Sequence, residues 1–341
     1  MRKIEITKEV KSIAEDYCKE IKSKPHFPNL ILDPWKRLNK LKDTISQPTI
    51  DVCYENTVLN KLPYIQYIEK ILSLLEQNLL DCLPSEFKAI ASDFEAIISK
   101  AELEKPIKIG SNEAKKFADI LVDKMLYEKM RHNVFPKYVR RLKVKSCVYC
   151  NAAYAVTDKK CRGYYDLDHW MPKSLYPYLC ISFFNLQPSC PVCNRTKGND
   201  EQVEFFNLYE EDATENLDVM NLDLDELSIA HYLLNHTPEY LHIRFAASQN
   251  KYMKICNDMN AKLHITDMYA EHKDVAEEVV WKYLAYNRGY LQLTKMSFGN
   301  FAPTSADVNR FILGTYADPE ETHKRPMTRL IQGIAKQFGI L

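Results

Sequence analysis

The chain has 341 residues, 46 Lys/Arg against 46 Asp/Glu, and 46% hydrophobic residues, enough apolar material for a sizeable core in two or three packed units. The opening Met1-Arg-Lys-Ile-Glu-Ile lacks the apolar stretch of a signal peptide, and nothing approaches the roughly 18 apolar residues of a membrane span, so a non-membrane, cytoplasmic protein is expected. Ten cysteines then fit a reducing compartment better than a disulfide scaffold. Only eight glycines argue for much helix. From the N-terminus, Ile65, Ile68, Leu72, Leu75, Leu79 and Cys82 recur at three- and four-residue steps after Pro63, which predicts an amphipathic helix. Pro106 and Gly110 mark a break before a further helix carrying Phe117, Leu121 and Met125. The run Lys137-Tyr-Val-Arg140-Arg141-Leu-Lys143-Val-Lys145 forms a cationic arm.

Residues 147–200 carry the chemistry. Cys147-Val-Tyr-Cys150 and Cys190-Pro-Val-Cys193 are two Cys-x-x-Cys pairs, together the tetrahedral sulfur set that zinc favours in closed structural sites. A redox dithiol normally needs one pair beside a βαβ pattern, and none is visible here. The excursion between the pairs reads as strand, loop, strand, helix. Gly163-Tyr-Tyr-Asp-Leu leads into Asp168-His169, Met171-Pro172 ends the first strand, and Leu179–Phe184 supplies the second on the way to Asn185. Cys193 through Lys197 reads as the first turn of the helix. Cys161 and Cys180 lie inside the excursion without a partner and read as buried apolar fillers, with Trp170, Phe183 and Phe184 as core.

These residues resemble the HNH nucleases, the zinc-stapled branch of the ββα-metal (His-Me finger) fold, over about 55 residues. The matching positions are Asp168-His169, Asn185, and Cys190 through Lys197, with Asn194 in the place of the motif's last histidine. The resemblance implies that His169 is the general base, that Asp168 and Asn194 hold a catalytic Mg²⁺ or Mn²⁺, and that Asn185 holds the loop carrying the histidine. The chemistry asks for the same residue types: neutral imidazole can accept the proton of an attacking water, and carboxylate and amide oxygens are hard ligands for such a cation. Asp166 shares a strand face with Asp168 and is an alternative ligand or a support. Lys197, Arg195, Lys173, Arg140 and Arg141 are the expected nucleic-acid contacts, since Arg131 to Asp200 holds 12 Lys/Arg against four Asp, a net +8.

Downstream, Glu201 to Glu226 holds ten acids without a Lys or Arg, which would repel DNA or face a basic partner. Tyr240–Phe245 reads as a strand. Residues 271–286 read as a helix with Val275, Val279, Tyr283 and Leu284 on one face, and a last helix follows Pro326 with Met327, Leu330, Ile331, Ile334 and Phe338 as its stripe. The expected architecture is mainly α with a small α+β core: a helical region 1–135, a ββα-metal nuclease core 136–200 with its zinc clip, and a mostly helical region 201–341. The arrangement also resembles nuclease subunits of antiphage defence systems such as Septu, which implies DNA as substrate and an ATPase partner. Homo- or hetero-oligomeric assembly stays open. The competing class is a zinc-stapled nucleic-acid-binding or assembly module without cleavage activity.

Overall fold

The computed structural model describes residues 1–24, 26, 27, 30–286, 289, 293, 296, 297 and 304–340. The fold is mainly helical with small sheets. One cluster of buried apolar residues runs from Met1 to Ala335 through all three regions of the chain.

The helix Lys8–Lys22 starts where the Thr7 hydroxyl accepts the Val10 N–H at 3.3 Å. It buries Val10, Ile13, Tyr17 and Ile21 at helical spacing. The Tyr17 ring meets Phe135, Tyr138 and Phe183 at 5.0, 5.4 and 5.6 Å, and its hydroxyl donates to the Ile181 carbonyl at 2.7 Å. One aromatic side chain thus binds the N-terminal helix, the arm helix Phe135–Arg141 and the loop of the central unit. The helix Leu62–Glu76 has Pro63 in its first turn and buries Tyr64, Tyr67, Ile68, Ile71 and Leu75; Leu79 and Cys82 lie beyond its end. Pro106 to Gly110 is more than a break. Pro106–Ile109 is a strand in a four-stranded antiparallel sheet with Val52–Tyr54, Thr57–Val58 and Lys115–Lys116. Strands of only two to four residues are too short for a period-two pattern to stand out in the sequence.

The central unit differs in one register from expectation. Asp166–His169 is the first strand, but its antiparallel partner is Leu186–Ser189, not the apolar run before it. Pro177–Leu179 and Phe183–Asn185 are 3₁₀ turns buried on all sides, so their hydrophobicity reflects burial and not strand geometry. The helix Pro191–Lys197 follows directly.

In the C-terminal region the strand is Ile243–Ala247, antiparallel to Met220–Leu224, a few residues later than Tyr240–Phe245 suggested, because Pro238–Tyr240 forms a 3₁₀ turn. The helix Lys273–Ala285 buries Ala276, Val279 and Val280, whereas Tyr283 and Leu284 are exposed. Six of the ten acids of the run are paired with cations of the same chain. Lys100 reaches Glu201 at 2.6 Å, Lys254 reaches Glu204 at 2.8 Å, Lys3 reaches Glu210 at 2.7 Å, Arg2 reaches Asp218 at 2.9 Å, Arg244 reaches Asp223 at 2.9 Å, and Lys251 pairs with Glu215. Three of these partners, Arg2, Lys3 and Lys100, come from the N-terminal third of the chain, and the other three follow the run itself.

The helix Thr328–Gln337 lies on the strand Met220–Leu224 so closely that a Cβ at Gly333 would stand 1.8 Å from the Leu222 carbonyl oxygen. In an open helix Gly→Ala stabilises by about 1 kcal/mol. Here the helix must lift off the strand, so Gly333→Ala is expected to lower stability by about 1–3 kcal/mol, the range for overpacking, with a lower urea midpoint as the readout. A midpoint at or above that of the wild type would disprove the close contact.

Candidate metal and catalytic centre

The two Cys-x-x-Cys pairs converge. Cys147 and Cys150 flank a tight turn closed by Asn151 N donating to the Cys147 carbonyl at 2.9 Å, with Asn151 itself at φ 53°. Cys190 and Cys193 open the helix Pro191–Lys197, where the Cys193 N–H approaches the Cys190 sulfur at 3.4 Å. All four are buried, and their sulfurs lie within 4.8 Å of one another. A tetrahedral zinc with Zn–S bonds of about 2.3 Å needs sulfurs about 3.8 Å apart, so a small contraction seats the ion. Burial pushes the Cys147 thiol well above its ordinary value, and a dication is what would hold such sulfurs as thiolates. The donor set fits a structural zinc.

The turn is secured from far along the chain. The buried Asn151 amide donates to Ser146 Oγ at 2.8 Å and to the Thr322 carbonyl at 3.1 Å, and its oxygen accepts the Arg329 N–H at 2.8 Å. Tyr269 donates to the Cys150 carbonyl at 2.7 Å. Neither Asn151 nor Tyr269 stood out in the sequence, where a local turn residue and an isolated tyrosine carry no sign of a partner more than a hundred residues away.

Beside the clip, period-two alternation puts Asp166 and Asp168 on one strand face, and i, i+3 spacing puts Asn194 and Lys197 on one helix face. The faces meet as two rungs. Asn194 Nδ2 donates to Asp166 Oδ2 at 3.1 Å, and Lys197 Nζ lies 2.7 Å from Asp168 Oδ2 and 2.5 Å from the His169 carbonyl. Asp168 also accepts from the Tyr149 hydroxyl, which Gln187 Nε2 approaches in turn; Gln187 Oε1 accepts the Leu208 N–H at 2.8 Å. Burial pushes the Asp168 carboxyl above its ordinary value, against the pull of Lys197 and Tyr149.

Two expectations change accordingly. Lys197 is not placed at the surface to meet phosphate: it is 4% exposed and neutralises an Asp168 that is 5% exposed. The oxygen pair expected from Asp168 and Asn194 is not the pair that meets, since Asn194 faces Asp166, which also binds Arg131 at 2.5 Å. The sequence shows charge but not depth, and a buried carboxylate takes the nearest cation its fold supplies.

His169 is 6% exposed. Its Nε2 lies 3.0 Å from the Cys180 carbonyl, which can only accept, so that nitrogen carries the proton and Nδ1 keeps the lone pair. Burial, aided by the nearby Lys173 charge, lowers the imidazole pKa to about 3, so the ring is neutral at ordinary pH. The Tyr127 ring lies 4.6 Å from the imidazole and donates its hydroxyl to the Leu167 carbonyl at 2.9 Å. Asn185 ties both ends of the intervening loop: its oxygen accepts the Met171 N–H at 2.8 Å, and its amide donates to the Met171 and Leu179 carbonyls, both at 3.1 Å.

The remaining expected contacts scatter. Lys173 sits 4.3 Å over the Tyr127 ring and 3.8 Å from Glu128. Arg195 is exposed and its Nε donates to the Pro191 carbonyl at 3.3 Å. Arg141 pairs with Asp16 at 2.8 Å, and the exposed Arg140 reaches the Lys159 carbonyl at 3.5 Å. Cys180 is buried as expected, whereas Cys161 is half-buried in a hairpin turn at φ 59°.

No protein-family model matches the chain, and no solved structure matches it. A stretch of 55 residues, 16% of the chain, is 38% identical to the Septu protein PtuB of Bacillus thuringiensis and covers 20% of that protein. The chain therefore matches only one fifth of the length of that relative, and the similarity supports a Septu-like relation over that stretch. Among the described residues no helix is long and apolar enough to cross a membrane.

Two outcomes follow from the geometry. Cys193→Ser should release about one zinc per chain and lower the melting temperature of the whole protein, because metal binding and folding are coupled; metal analysis with calorimetry checks this, and an unchanged melting profile speaks against a structural ion. Lys197→Met should cost about 3–5 kcal/mol by leaving Asp168 buried without its cation, whereas a surface phosphate contact would cost almost nothing. Adding Asp168→Asn should restore part of that loss in a denaturant titration.

Proposed function

We propose that the protein is a metal-dependent endonuclease that hydrolyses DNA phosphodiester bonds and acts as the effector of a bacterial antiphage defence system. The observation that carries this reading is the imidazole of His169. Its Nε2–H is committed to the Cys180 carbonyl, which leaves Nδ1 as a base, and it follows Asp168 on the strand whose Asp166 meets Asn194 of the helix Pro191–Lys197. Those oxygens, with Lys197 and Arg131 displaced from them, are the groups that would hold Mg²⁺ or Mn²⁺. When bound, that ion supplies charge neutralisation at the scissile phosphate. His169 takes the proton of the attacking water at Nδ1, while Asn185 and the Cys180 carbonyl keep the ring from turning. Tyr149 and Gln187 hold the Asp168 carboxylate in place. The defence role rests on the partial similarity to a Septu protein, and an ATPase partner belongs to the same proposal.

A second reading has two observations in its favour. Asp168 is already neutralised by Lys197, and His169 is almost fully covered, as suits a zinc-stapled binding module without cleavage. Plasmid nicking by the purified protein decides between them. With zinc retained, cutting is expected to require added Mg²⁺ or Mn²⁺, and His169→Ala, assayed well below its own lowered melting temperature and with its zinc retained, is expected to lose on the order of 10²–10⁴ in rate. Nicking at the wild-type rate by His169→Ala would remove the imidazole from the chemistry. No nicking by any form, with nucleic-acid binding intact, would favour the binding module.

A further inference from the structure

Several charged side chains near the centre are paired, whereas a group of lysines on and at the base of one hairpin is not. Val156–Thr157 and Gly163–Tyr164 form a two-stranded hairpin with Val156 opposite Tyr164 and Thr157 opposite Gly163. Its turn is fixed by Asp158, whose Oδ1 accepts the Lys160 and Arg162 N–H groups at 2.8 and 2.9 Å and whose Oδ2 accepts Arg162 Nε at 2.7 Å. The exposed Lys159 and Lys160 stand at the tip. Lys145 lies at the base, where its carbonyl accepts the Ala155 N–H at 2.9 Å, and Lys143 is two residues before it. These four lysines are exposed and enter no ion pair among the described residues, whereas their neighbours Lys137 and Arg141 are taken by Glu20 and Asp16.

The hairpin has two unlike faces. On one, Tyr165 packs back against it: its hydroxyl is 3.1 Å from Thr157 Oγ1, and a Cβ at Gly163 would stand 2.8 Å from its ring. On the other, alternation places Tyr154, Val156 and Tyr164 together, and the two tyrosines, diagonal neighbours on the order of 7 Å apart, are 67% and 60% exposed. Two large exposed rings flanked by unpaired ammonium groups combine the parts of a single-strand site, stacking platforms for bases beside charges for the backbone. A duplex hides its base faces and would use only the lysines. Tyr164 precedes Asp166 by two residues and His169 by five, so at about 3.3 Å per residue its Cα stands within roughly 17 Å of the His169 Cα.

We propose that the hairpin 154–164 is a single-stranded nucleic-acid binding element in which Tyr154 and Tyr164 stack unpaired bases and Lys143, Lys145, Lys159 and Lys160 track the phosphates. This rests on the nucleic-acid reading of the centre and narrows its substrate to unpaired or opened strands. The test is fluorescence anisotropy of the full chain with zinc retained and no added Mg²⁺ or Mn²⁺, against labelled oligo-dT, oligo-U and a duplex of about 15 nucleotides, a single-strand site length. The wild type is expected to bind at least one of the two single strands more tightly than the duplex. Each of Tyr154→Ala and Tyr164→Ala should weaken that binding about 5- to 100-fold without changing its salt dependence, and the corresponding Phe variants should bind like the wild type. Lys159→Ser with Lys160→Ser should weaken single strand and duplex alike and reduce the slope of log affinity against log salt by about 0.7 per lysine on the single strand. Wild-type affinity in the folded double tyrosine variant, or a wild type that prefers duplex or binds neither single strand, overturns the proposal. Failure of plasmid nicking leaves it standing, because binding is read without cutting.

Discussion

From Cys150 to Cys190 the chain passes through the basic hairpin, the strand of Asp168 and His169 and two buried 3₁₀ turns before it comes back to the clip. Closing that excursion against chain entropy is the constraint on which the centre depends. Four buried sulfurs within 4.8 Å of one another are where it closes. The return leg, Leu186–Ser189, pairs with Asp166–His169, and the Val148 N–H reaches the Pro188 carbonyl at 3.2 Å beside the clip. The clip, the strand pair and the helix Pro191–Lys197 are therefore one mechanical piece. Positions of side chains a strand's length from the sulfurs are set by the same closure.

Within that piece the polar ladder between strand and helix decides what each residue is able to do. A strand advances about 6.6 Å in two residues and a helix about 4.5 Å in three, so polar pairs at the two rungs cannot be made by side chains of equal length. The short Asn194 bridges one rung and the long Lys197 the other. Lysine is buried here because its flexible stem spans the wider gap and its head meets both a carboxylate and a carbonyl.

The four cysteines, the strand of Asp168-His169 and the helix after Cys190 were legible in the sequence, because thiol spacing and local periodicity are short-range signals. The depth of Lys197 and the pairing of Asn194 with Asp166 were not: both follow from how two elements dock, which no local pattern encodes. Leu179–Phe184 misled for a related reason, since complete burial makes a 3₁₀ turn as apolar as a core strand. The acidic run after Glu201 misled in the opposite direction. Its basic partners are Lys3, Arg2, Lys100, Arg244, Lys251 and Lys254, and a charge run read alone cannot show that the counter-ions lie elsewhere in the same chain.

The Asn151 side chain, which steadies the clip by accepting the backbone N–H of Arg329, has a partner 178 residues later. At a synthesis rate of about 5–20 residues per second, roughly 9–36 s separate the emergence of the two from the ribosome. For most of that interval, once Cys193 has followed Asn151 by 42 residues, all four thiols are outside and able to take up metal, while the turn between Cys147 and Cys150 lacks the contacts with Thr322, Met327 and Arg329 that hold it. The metal-binding segment is thus made early and its brace last, so the nascent chain passes through a stage in which the sulfur cage exists without its final support.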